Sequence, residues 1–313
     1  MAKKKLEFKN LPTGKPHVSF SEVSDWIDCS WRHWLKKIKN IDLSTFGVAL
    51  DNGTGIHSSC EDFLKTREMK PEIAVDFITE CFEKQFALGP ESFYEYVRFS
   101  DDPGEFEKLE RKYLKNGGTS RGKENIIYDV FLTDYVEGAR NTLVEVEKFM
   151  DDNFLDWEFI EAEHELYEPI EGTSHAFKGF IDGVIKATNK RGKRVYWIID
   201  WKTSGRGWFR DKRQDPKTQK QLIFYKHYYC TKMGINPKEV RCGFVLLKRM
   251  AKPGDHCELI PVSVGDVSTG RTLKVVNNMI ASMDRKMFLK NKTKCRWCDY
   301  KGTEHCLGSN NPS

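Results

Sequence analysis

The chain has 313 residues, a mass of 36.4 kDa and a formal net charge of +5, with 39% hydrophobic and 31% charged residues. This length is enough for one large domain or for two. No apolar run approaches the roughly 18 residues that a transmembrane helix needs, and no apolar segment follows the basic stretch at residues 1–5, so we expect neither a membrane span nor a signal peptide. Nine cysteines in a chain of this size favour a cytoplasmic protein whose thiols are reduced or hold a metal.

The first part of the chain predicts a flexible arm and two helices. Residues 1–18 are basic and are interrupted by proline and glycine, which is typical of a flexible arm. From Ser21, which can cap a helix, apolar side chains recur at helical spacing as far as Leu35. Cys29 falls inside this predicted helix, where a lone cysteine is usually a buried thiol. Farther on, Gly53–His57 predicts a loop that leads into a second helix, with His57 at or just before its first turn.

Residues 61–156 are mostly helical in periodicity, with predicted helices at 73–86, 105–114 and 126–150. A glycine-rich mobile loop is predicted at 116–125. No residue pattern in this segment indicates chemistry, so we expect it to cover the sheet that follows.

The second half of the chain is rich in predicted strands. The predicted elements are strands at 157–168, 176–187, 195–202, 239–247 and 258–264, and helices at 216–233 and 272–287. The run that begins at Val195 is continuously apolar and follows a polar loop, which favours a strand buried on both faces of the sheet.

Acidic side chains are predicted to meet on two neighbouring strands. Asp200 and Lys202 are two residues apart at the end of the strand at 195–202, so their side chains leave the same face. A hairpin turn at 188–193 would bring Asp182 close to Asp200. Two carboxylates at that distance repel each other unless a hard cation lies between them. The pattern therefore predicts a divalent-cation site.

Five further residues are candidates for the same site. Gln221 and Tyr225 are at i and i+4 on one face of the predicted helix at 216–233. One of Glu161, Glu163 and Glu165 could also face the cation, and the alternation of a strand does not choose among them without the orientation of the sheet.

Positive charge is concentrated around this site and again at residues 285–296. A solvated surface is one interpretation of such clusters, and a phosphate-binding surface beside the carboxylate pair is the other. In the loop at 203–215 the cations are accompanied by Trp208 and Phe209, a combination that suits contact with single-stranded bases. The residues expected to make these contacts are Arg206, Trp208, Arg210 and Arg213.

A cysteine-rich segment follows. Cys295 and Cys298 are spaced C-x2-C, and Cys306 follows after seven intervening residues, so the three thiols could hold one metal ion. The only local fourth ligand is His305, which would form a zinc knuckle. The other cysteines lack ligand spacing and are interpreted as buried thiols: Cys60, Cys81, Cys230, Cys242 and Cys257.

Three of these motifs together resemble the RecB-like exonucleases of the PD-(D/E)XK nuclease superfamily. They are the G-x-x-D of Gly179–Asp182, the D-x-K of Asp200–Lys202 and the Q-x-x-x-Y of Gln221–Tyr225. The opening helix (Ser21, Cys29, Trp34) and the G-x-x-x-H of Gly53–His57 also match, so the resemblance extends from residue 21 to residue 306.

The resemblance implies an α/β fold, an αβα sandwich with a mixed central sheet and an αβββαβ core, to which a helical insertion and a C-terminal cysteine-rich metal staple are added. The implied segments are a flexible basic arm (1–18), the first helix and histidine motif (19–60), the helical insertion (61–156), the nuclease core (157–270) and the last helix with the cysteine cluster (271–313). The insertion would then cover the sheet or clamp a DNA strand.

The resemblance also implies a metal-dependent DNA exonuclease that hydrolyses phosphodiester bonds in end processing, recombination or repair. Asp182 and Asp200 would hold Mg²⁺ or Mn²⁺, and His57 would complete the metal site. Lys202 would orient water or stabilise developing charge, and Gln221 and Tyr225 would position the DNA strand or the phosphate. The expected partner is DNA, with recombination or CRISPR adaptation proteins as further partners. The alternative is a non-catalytic DNA-binding module with the same fold and a structural metal site.

In the CRISPR-associated and AddB-type relatives, one cysteine of the opening helix and three near the C-terminus hold a [4Fe–4S] cluster. The matching positions are Cys29, Cys295, Cys298 and Cys306, although those relatives usually have fewer residues between the last two cysteines. Four thiolates suit an iron–sulfur cluster and equally suit structural Zn²⁺. We expect the cluster, with Zn²⁺ as the alternative, and either group would join two distant parts of the chain.

Overall fold

The computed structural model describes residues 7–43, 47–100 and 102–307. Within these ranges six strands form one mixed sheet. The strands are β1 (His17–Ser19), β2 (Leu155–Pro169), β3 (Ala176–Thr188), β4 (Arg194–Ser204), β5 (Val240–Lys248) and β6 (Cys257–Val262). The helices are α1 (Phe20–Asp28), α2 (Ser30–His33), α3 (Val48–Thr66), α4 (Pro71–Ala87), α5 (Pro90–Val97), α6 (Pro103–Lys115), α7 (Lys123–Leu143), α8 (Val146–Asn153), α9 (Arg210–Gln214), α10 (Pro216–Met233) and α11 (Asp266–Asp284). The predicted α/β fold with a mixed sheet between helices is confirmed.

Strand β3 changes partners along one of its edges. It pairs with β2 in antiparallel orientation along the whole of one edge. On the other edge it pairs first with β1, in parallel, at 176–178, and then with β4, antiparallel, at 183–188. Residues 179–182 lie between these two ladders, so this edge of the sheet opens at the predicted G-x-x-D motif. Beyond β4 the sheet continues through β5, which is parallel to β4, and β6, which is antiparallel to β5.

Two hydrophobic cores flank the sheet. Ile198 packs in the core beneath α10 and α11, and its neighbour Ile199 packs in the core beneath α3, α4 and α7. Both side chains are fully buried. Adjacent residues of a strand point to opposite faces, so a strand with a core on each side requires an unbroken apolar run. This explains the composition of β4.

Helix α10 has the bounds that were predicted, because its signals are local. Asp215 caps its first turn by accepting hydrogen bonds from the amides of Lys217 and Thr218, and Pro216 occupies the first helical position. Gly234 ends the helix in the left-handed conformation, with a φ of 67°.

The structure corrects the predictions for the first part of the chain. Residues 7–18 are not a flexible arm: Leu11 is buried, Lys9 is hydrogen-bonded to the residues around His175, and β1 joins the sheet. Residues 1–6 lie outside the described residues. The predicted first helix is interrupted at Cys29, which is extended (φ −164°, ψ 112°), and its cap is Ser19 rather than the residue two positions later.

The helical insertion also differs in detail. The predicted helix at 126–150 is two helices, α7 and α8, and the predicted loop at 116–125 shortens to residues 116–122. The predicted boundary after residue 60 falls inside α3, which is one continuous helix. No helix in the described part of the chain is both long enough and apolar enough to span a bilayer.

Candidate active site

Asp182 and Asp200 meet where the sheet edge opens. The hairpin ladder of β3 and β4 ends at the pair Gly183 and Ile199, and one further step in this register places Asp182 beside Asp200. Asp182 Oδ2 accepts a hydrogen bond of 2.8 Å from the amide of Trp201. Its side chain is 14% exposed, whereas that of Asp200 is 1% exposed.

Asp200 is held from two sides. Its Oδ1 accepts a hydrogen bond of 2.7 Å from Gln221 Nε2, and the same amide nitrogen lies 3.2 Å from the hydroxyl oxygen of Tyr225. Its Oδ2 lies 2.5 Å from Lys202 Nζ. The contact with Lys202 is an ion pair in which the ammonium also donates a hydrogen bond to the carboxylate. Asp200 is therefore held by a neutral amide on one oxygen and by a cation on the other.

His57 reaches the site from α3. The structure places it in the middle of this helix rather than at the start that was predicted, because the helix begins at Val48 and continues through Gly53 and Gly55. His57 Nδ1 lies 3.4 Å from Asp182 Oδ2. Burial lowers the pKa of His57, the charge of Asp200 opposes this effect and the charge of Lys202 reinforces it. The neutral imidazole is the form that can bind a metal.

The site lacks enough positive charge to compensate two ionised carboxylates. Burial, together with the charge of Asp200, raises the pKa of Asp182 well above its ordinary value, although Lys202 and the amide of Trp201 oppose the shift. Burial would lower the pKa of Lys202, but Asp200 and Asp182 outweigh burial and raise it. Lys202 is therefore an ammonium at neutral pH, and a second positive charge beside the two acids would be favourable.

The structure also shows which of the three glutamates of β2 lies beside the two aspartates. Glu161 accepts a hydrogen bond of 2.6 Å from the hydroxyl of Tyr229, and Glu165 pairs with Lys178 at 3.2 Å. Glu163 lies between the pairs 162–183 and 164–181, so it is opposite Asp182, and it lines a cleft with His57. It has a φ of 48°, a left-handed conformation that alternation along a strand does not predict.

The four predicted DNA contacts separate into two groups. Arg206 and Arg210 are exposed. Trp208 is only 6% exposed and packs against Phe244, so the structure does not present it to a base. Arg213 is bound by both carboxylate oxygens of Glu258.

The four predicted cluster ligands line one cavity: Cys29, Cys295, Cys298 and Cys306. The segment around Asn291 closes this cavity against the first helices, since the amide of Asn291 donates to Cys29 Sγ at 3.3 Å and its side chain donates to the carbonyl of Asp28 at 2.9 Å. His305 is not part of the cavity lining. No disulfide links any of the nine cysteines, all of which lie in the described ranges. Of the five predicted buried thiols, Cys81 and Cys257 are only partly buried.

Neither site is a closed metal cage. In the described residues, no three His, Cys, Asp or Glu side chains converge closely enough to hold an ion as they stand. The donors nevertheless fit their expected groups. Two neighbouring carboxylates, both largely buried, suit Mg²⁺, which usually keeps several waters and takes one or two carboxylates. Thiols around a common cavity suit a thiolate-bound metal group.

Comparisons with known proteins give one family match and two distant structural matches. No curated protein matches the sequence. A crystal structure from Eubacterium rectale, described as that of a candidate exonuclease, matches with a TM-score of 0.47 and 12% identity, covering 93% of this chain and 91% of the other. The protein SSO0001 matches with a TM-score of 0.32 and 14% identity, covering 66% of this chain and 82% of the other. At such low scores and identities, neither likeness bears on substrate or chemistry.

The family assignment comes from the sequence itself. Residues 17–303 match the profile of the PD-(D/E)XK nuclease superfamily, and this range contains the strands, the carboxylate pair, the lysine and the helix that carries Gln221. The chain belongs to the PD-(D/E)XK nuclease superfamily.

Proposed function

We propose that this protein is a divalent-metal-dependent DNA nuclease that hydrolyses phosphodiester bonds at DNA ends, in recombination or repair. The observation that supports it most is the environment of Asp200, which is buried beside the second acid, Asp182, and beside Lys202. Burying two neighbouring carboxylates is costly unless a cation compensates them. Action at ends is inferred from the resemblance of the three motifs to RecB-like exonucleases.

Asp182 and Asp200, with His57, are the residues that would hold the cation. Members of the superfamily usually use Mg²⁺ or Mn²⁺, and both prefer carboxylate oxygens. When bound, such a cation supplies Lewis-acid stabilisation of the phosphate and activation of water. Glu163 lies opposite Asp182 on β2, lines a cleft with His57 and would add a further carboxylate beside the cation.

Lys202 and Gln221 have separate roles in this proposal. Because the pKa of Lys202 is raised, its ammonium would stabilise negative charge on the phosphate rather than take a proton from water. Gln221 orients Asp200 through its hydrogen bond of 2.7 Å. Tyr225 lies beside the same amide and would contact the DNA strand, with a hydroxyl that stays protonated because burial raises its pKa.

For the cysteine site we propose a [4Fe–4S] cluster, with Zn²⁺ as the alternative. The four thiols surround a common cavity instead of converging on one point. Four cysteine ligands suit either group, and the cluster is preferred because the matching cysteines hold one in the relatives that this sequence resembles. In either case the group would be structural, because it joins the first helices to the segment that contains Cys298.

The function is tested with Asp200→Asn, which keeps the shape of the side chain and removes its charge. Purified wild-type protein is expected to degrade end-labelled DNA in Mg²⁺ or Mn²⁺ and to stop in EDTA. Asp200→Asn is expected to reduce the rate by at least about 1,000-fold and to retain DNA binding, because phosphate contacts come from surface cations. The matched control is Glu165→Gln, which removes a carboxylate paired with Lys178 on the same sheet.

Two results would count against the proposal. Unchanged cleavage by Asp200→Asn would refute the assigned site. DNA binding without metal-dependent cleavage by the wild type would favour the alternative, a non-catalytic DNA-binding module. Separate labels on the 5′ and 3′ ends, on single-stranded and duplex DNA, would also give the polarity.

A further inference from the structure

Phe209 is held on the surface in a defined position. Its side chain is 89% exposed, the highest value for a large apolar side chain in the described part of the chain. It precedes α9, and its carbonyl accepts hydrogen bonds of 3.1 Å from the amides of Lys212 and Arg213. Single exposed apolar residues are common on proteins, so exposure by itself indicates nothing.

The turn that carries Phe209 is fixed by side chains on both sides. Trp208 is buried, with its ring centroid 5.3 Å from that of Phe244. Arg213 Nε donates to the carbonyl of Trp208 at 2.7 Å, and its guanidinium is held by Glu258. Ser204 Oγ contacts both the amide and the carbonyl of Gly207, at 3.2 and 3.1 Å. A ring presented on such a support has little backbone freedom left to lose on binding.

This turn is next to the candidate active site. Lys202 Nζ lies 5.9 Å from the ring centroid of Phe244, the ring against which Trp208 packs. Lys212 lies 4.6 Å above the ring of Trp208. Lys202 is therefore connected to Trp208, the residue before Phe209, through the ring of Phe244 alone. Arg206 and Arg210, on either side of this turn, are both exposed.

We propose that Phe209 stacks on an unpaired base close to the scissile phosphate, and that the substrate is therefore a single-stranded DNA end. Phe209 offers an aromatic face, and Arg206, Arg210 and Lys212 offer cations for the phosphates beside that base. Inside duplex DNA both faces of a base are covered by its neighbours, and at a blunt end only the outer face of the terminal pair is open. A paired base beside a scissile phosphate within a duplex therefore cannot make this contact, whereas an unpaired base can. This inference rests on the proposed nuclease function and specifies its substrate.

The inference is tested by binding of a labelled 20-nucleotide single strand without self-complementary sequence, and of the blunt duplex formed by that strand and its complement, in Mg²⁺. An Asp200→Asn background prevents cleavage. Stacking predicts that Phe209→Ala and Phe209→Leu each weaken single-strand binding by about fivefold or more, and that both leave duplex binding within twofold. Phe209→Tyr retains the aromatic face and is expected to bind like the parent. Val267→Ala is the control, because Val267 is 68% exposed on α11.

Three results would overturn the stacking role: single-strand binding unchanged in Phe209→Ala, single-strand and duplex binding weakened equally, or full binding by Phe209→Leu. Cleavage kinetics give an independent measurement, since Phe209→Ala in the active protein should raise KM for single strands more than it lowers kcat. If the wild type cleaves DNA and the Phe209 variants behave like the parent, only the stacking inference fails. If the wild type cleaves no DNA with Mg²⁺ or Mn²⁺, the proposed function itself fails.

Discussion

Gln221 and Asp200 are joined by a hydrogen bond of 2.7 Å that connects α10 to the end of β4. The donor is on the helix and the acceptor is a buried carboxylate of the sheet, so the helix fixes the orientation of that carboxylate. Because the same amide nitrogen also contacts the hydroxyl of Tyr225, the Q-x-x-x-Y motif acts as one unit on Asp200.

The first prediction concerns the charge at position 221. Gln221→Ala removes a hydrogen bond to a charged group, which is worth about 1.5–3 kcal/mol, so we expect kcat to fall roughly 10- to 100-fold. Gln221→Glu preserves the size of the side chain but places a third acid against Asp200 and Asp182, so we expect a larger loss. Steady-state cleavage of end-labelled DNA measures both. A Gln221→Glu variant more active than Gln221→Ala would show that orientation by a neutral donor is not what matters here.

The second prediction concerns the pH dependence of stability in the metal-free protein. The folded-state pKa of Asp182 is raised by burial and by Asp200, so protonated Asp182 is the form that favours the folded state. Below the ordinary range of an aspartate, about pH 4, the carboxyl is protonated in both the folded and the unfolded chain. As pH rises above that range the unfolded chain ionises first, and the free energy of unfolding falls until pH passes the raised pKa.

Asp182→Asn has no such ionisation. In EDTA its Tm should exceed that of the wild type at pH 8, and the difference should shrink toward zero as pH falls to about 4. Thermal melts across this range measure it. Mg²⁺ should raise the Tm of the wild type more than that of the variant. A constant Tm difference at all pH values would mean that Asp182 does not titrate abnormally.

The third prediction compares two glycines of β3. A Cβ added to Gly179 would lie 2.8 Å from Tyr225 Cε1, whereas one added to Gly183 would lie 2.6 Å from Leu64 Cδ1. Both substitutions overpack the protein and should lower stability by about 1–3 kcal/mol. Only Gly179→Ala displaces a residue of the candidate site. After correction for the folded fraction, kcat should therefore fall in Gly179→Ala and stay near the wild-type value in Gly183→Ala, and equal kcat values would contradict the proposed role of Tyr225.

The fourth prediction concerns the two distant cysteines. Cys29→Ser and Cys298→Ser should lose iron, or zinc, to a similar extent and should melt at lower temperature, because metal binding is coupled to folding. Cys242→Ala is the control: this thiol is buried under α10 and has no place in the cavity. Metal per chain is measured by elemental analysis, and absorption near 400 nm distinguishes the cluster from zinc. Full metal content in Cys29→Ser would mean that this residue is not a ligand.

Some of this architecture could be predicted because its signals are local. The bounds of α10 follow from Asp215, Pro216 and Gly234, and burial of β4 on both faces follows from its apolar run. The proximity of Asp182 to Asp200 follows from a short hairpin, in which register is fixed by the turn.

Other features depend on contacts between distant segments and could not be predicted. Trp208 is the buried aromatic residue of the loop because it packs against Phe244 of β5, which is some 36 residues away in the chain. Glu163 faces the cleft because its backbone is left-handed, which locally reverses the alternation of side chains along β2. The interruption at Cys29 depends on the segment near Leu289, whose carbonyl accepts from the amide of Trp31 at 3.1 Å.

The packing of residues 289–306 against the first helices has a consequence for how the protein is made. Trp31 Nε1 donates to the carbonyl of His305, a residue 274 positions later. At about 5–20 residues per second, the ribosome needs roughly 15–55 s to add that much chain. Until the end of the chain is made, Trp31 lacks the carbonyl of His305 and Trp34 lacks the ring of Phe288. A nascent chain that stalls before residue 289 would keep these two aromatic side chains open to chaperones and proteases.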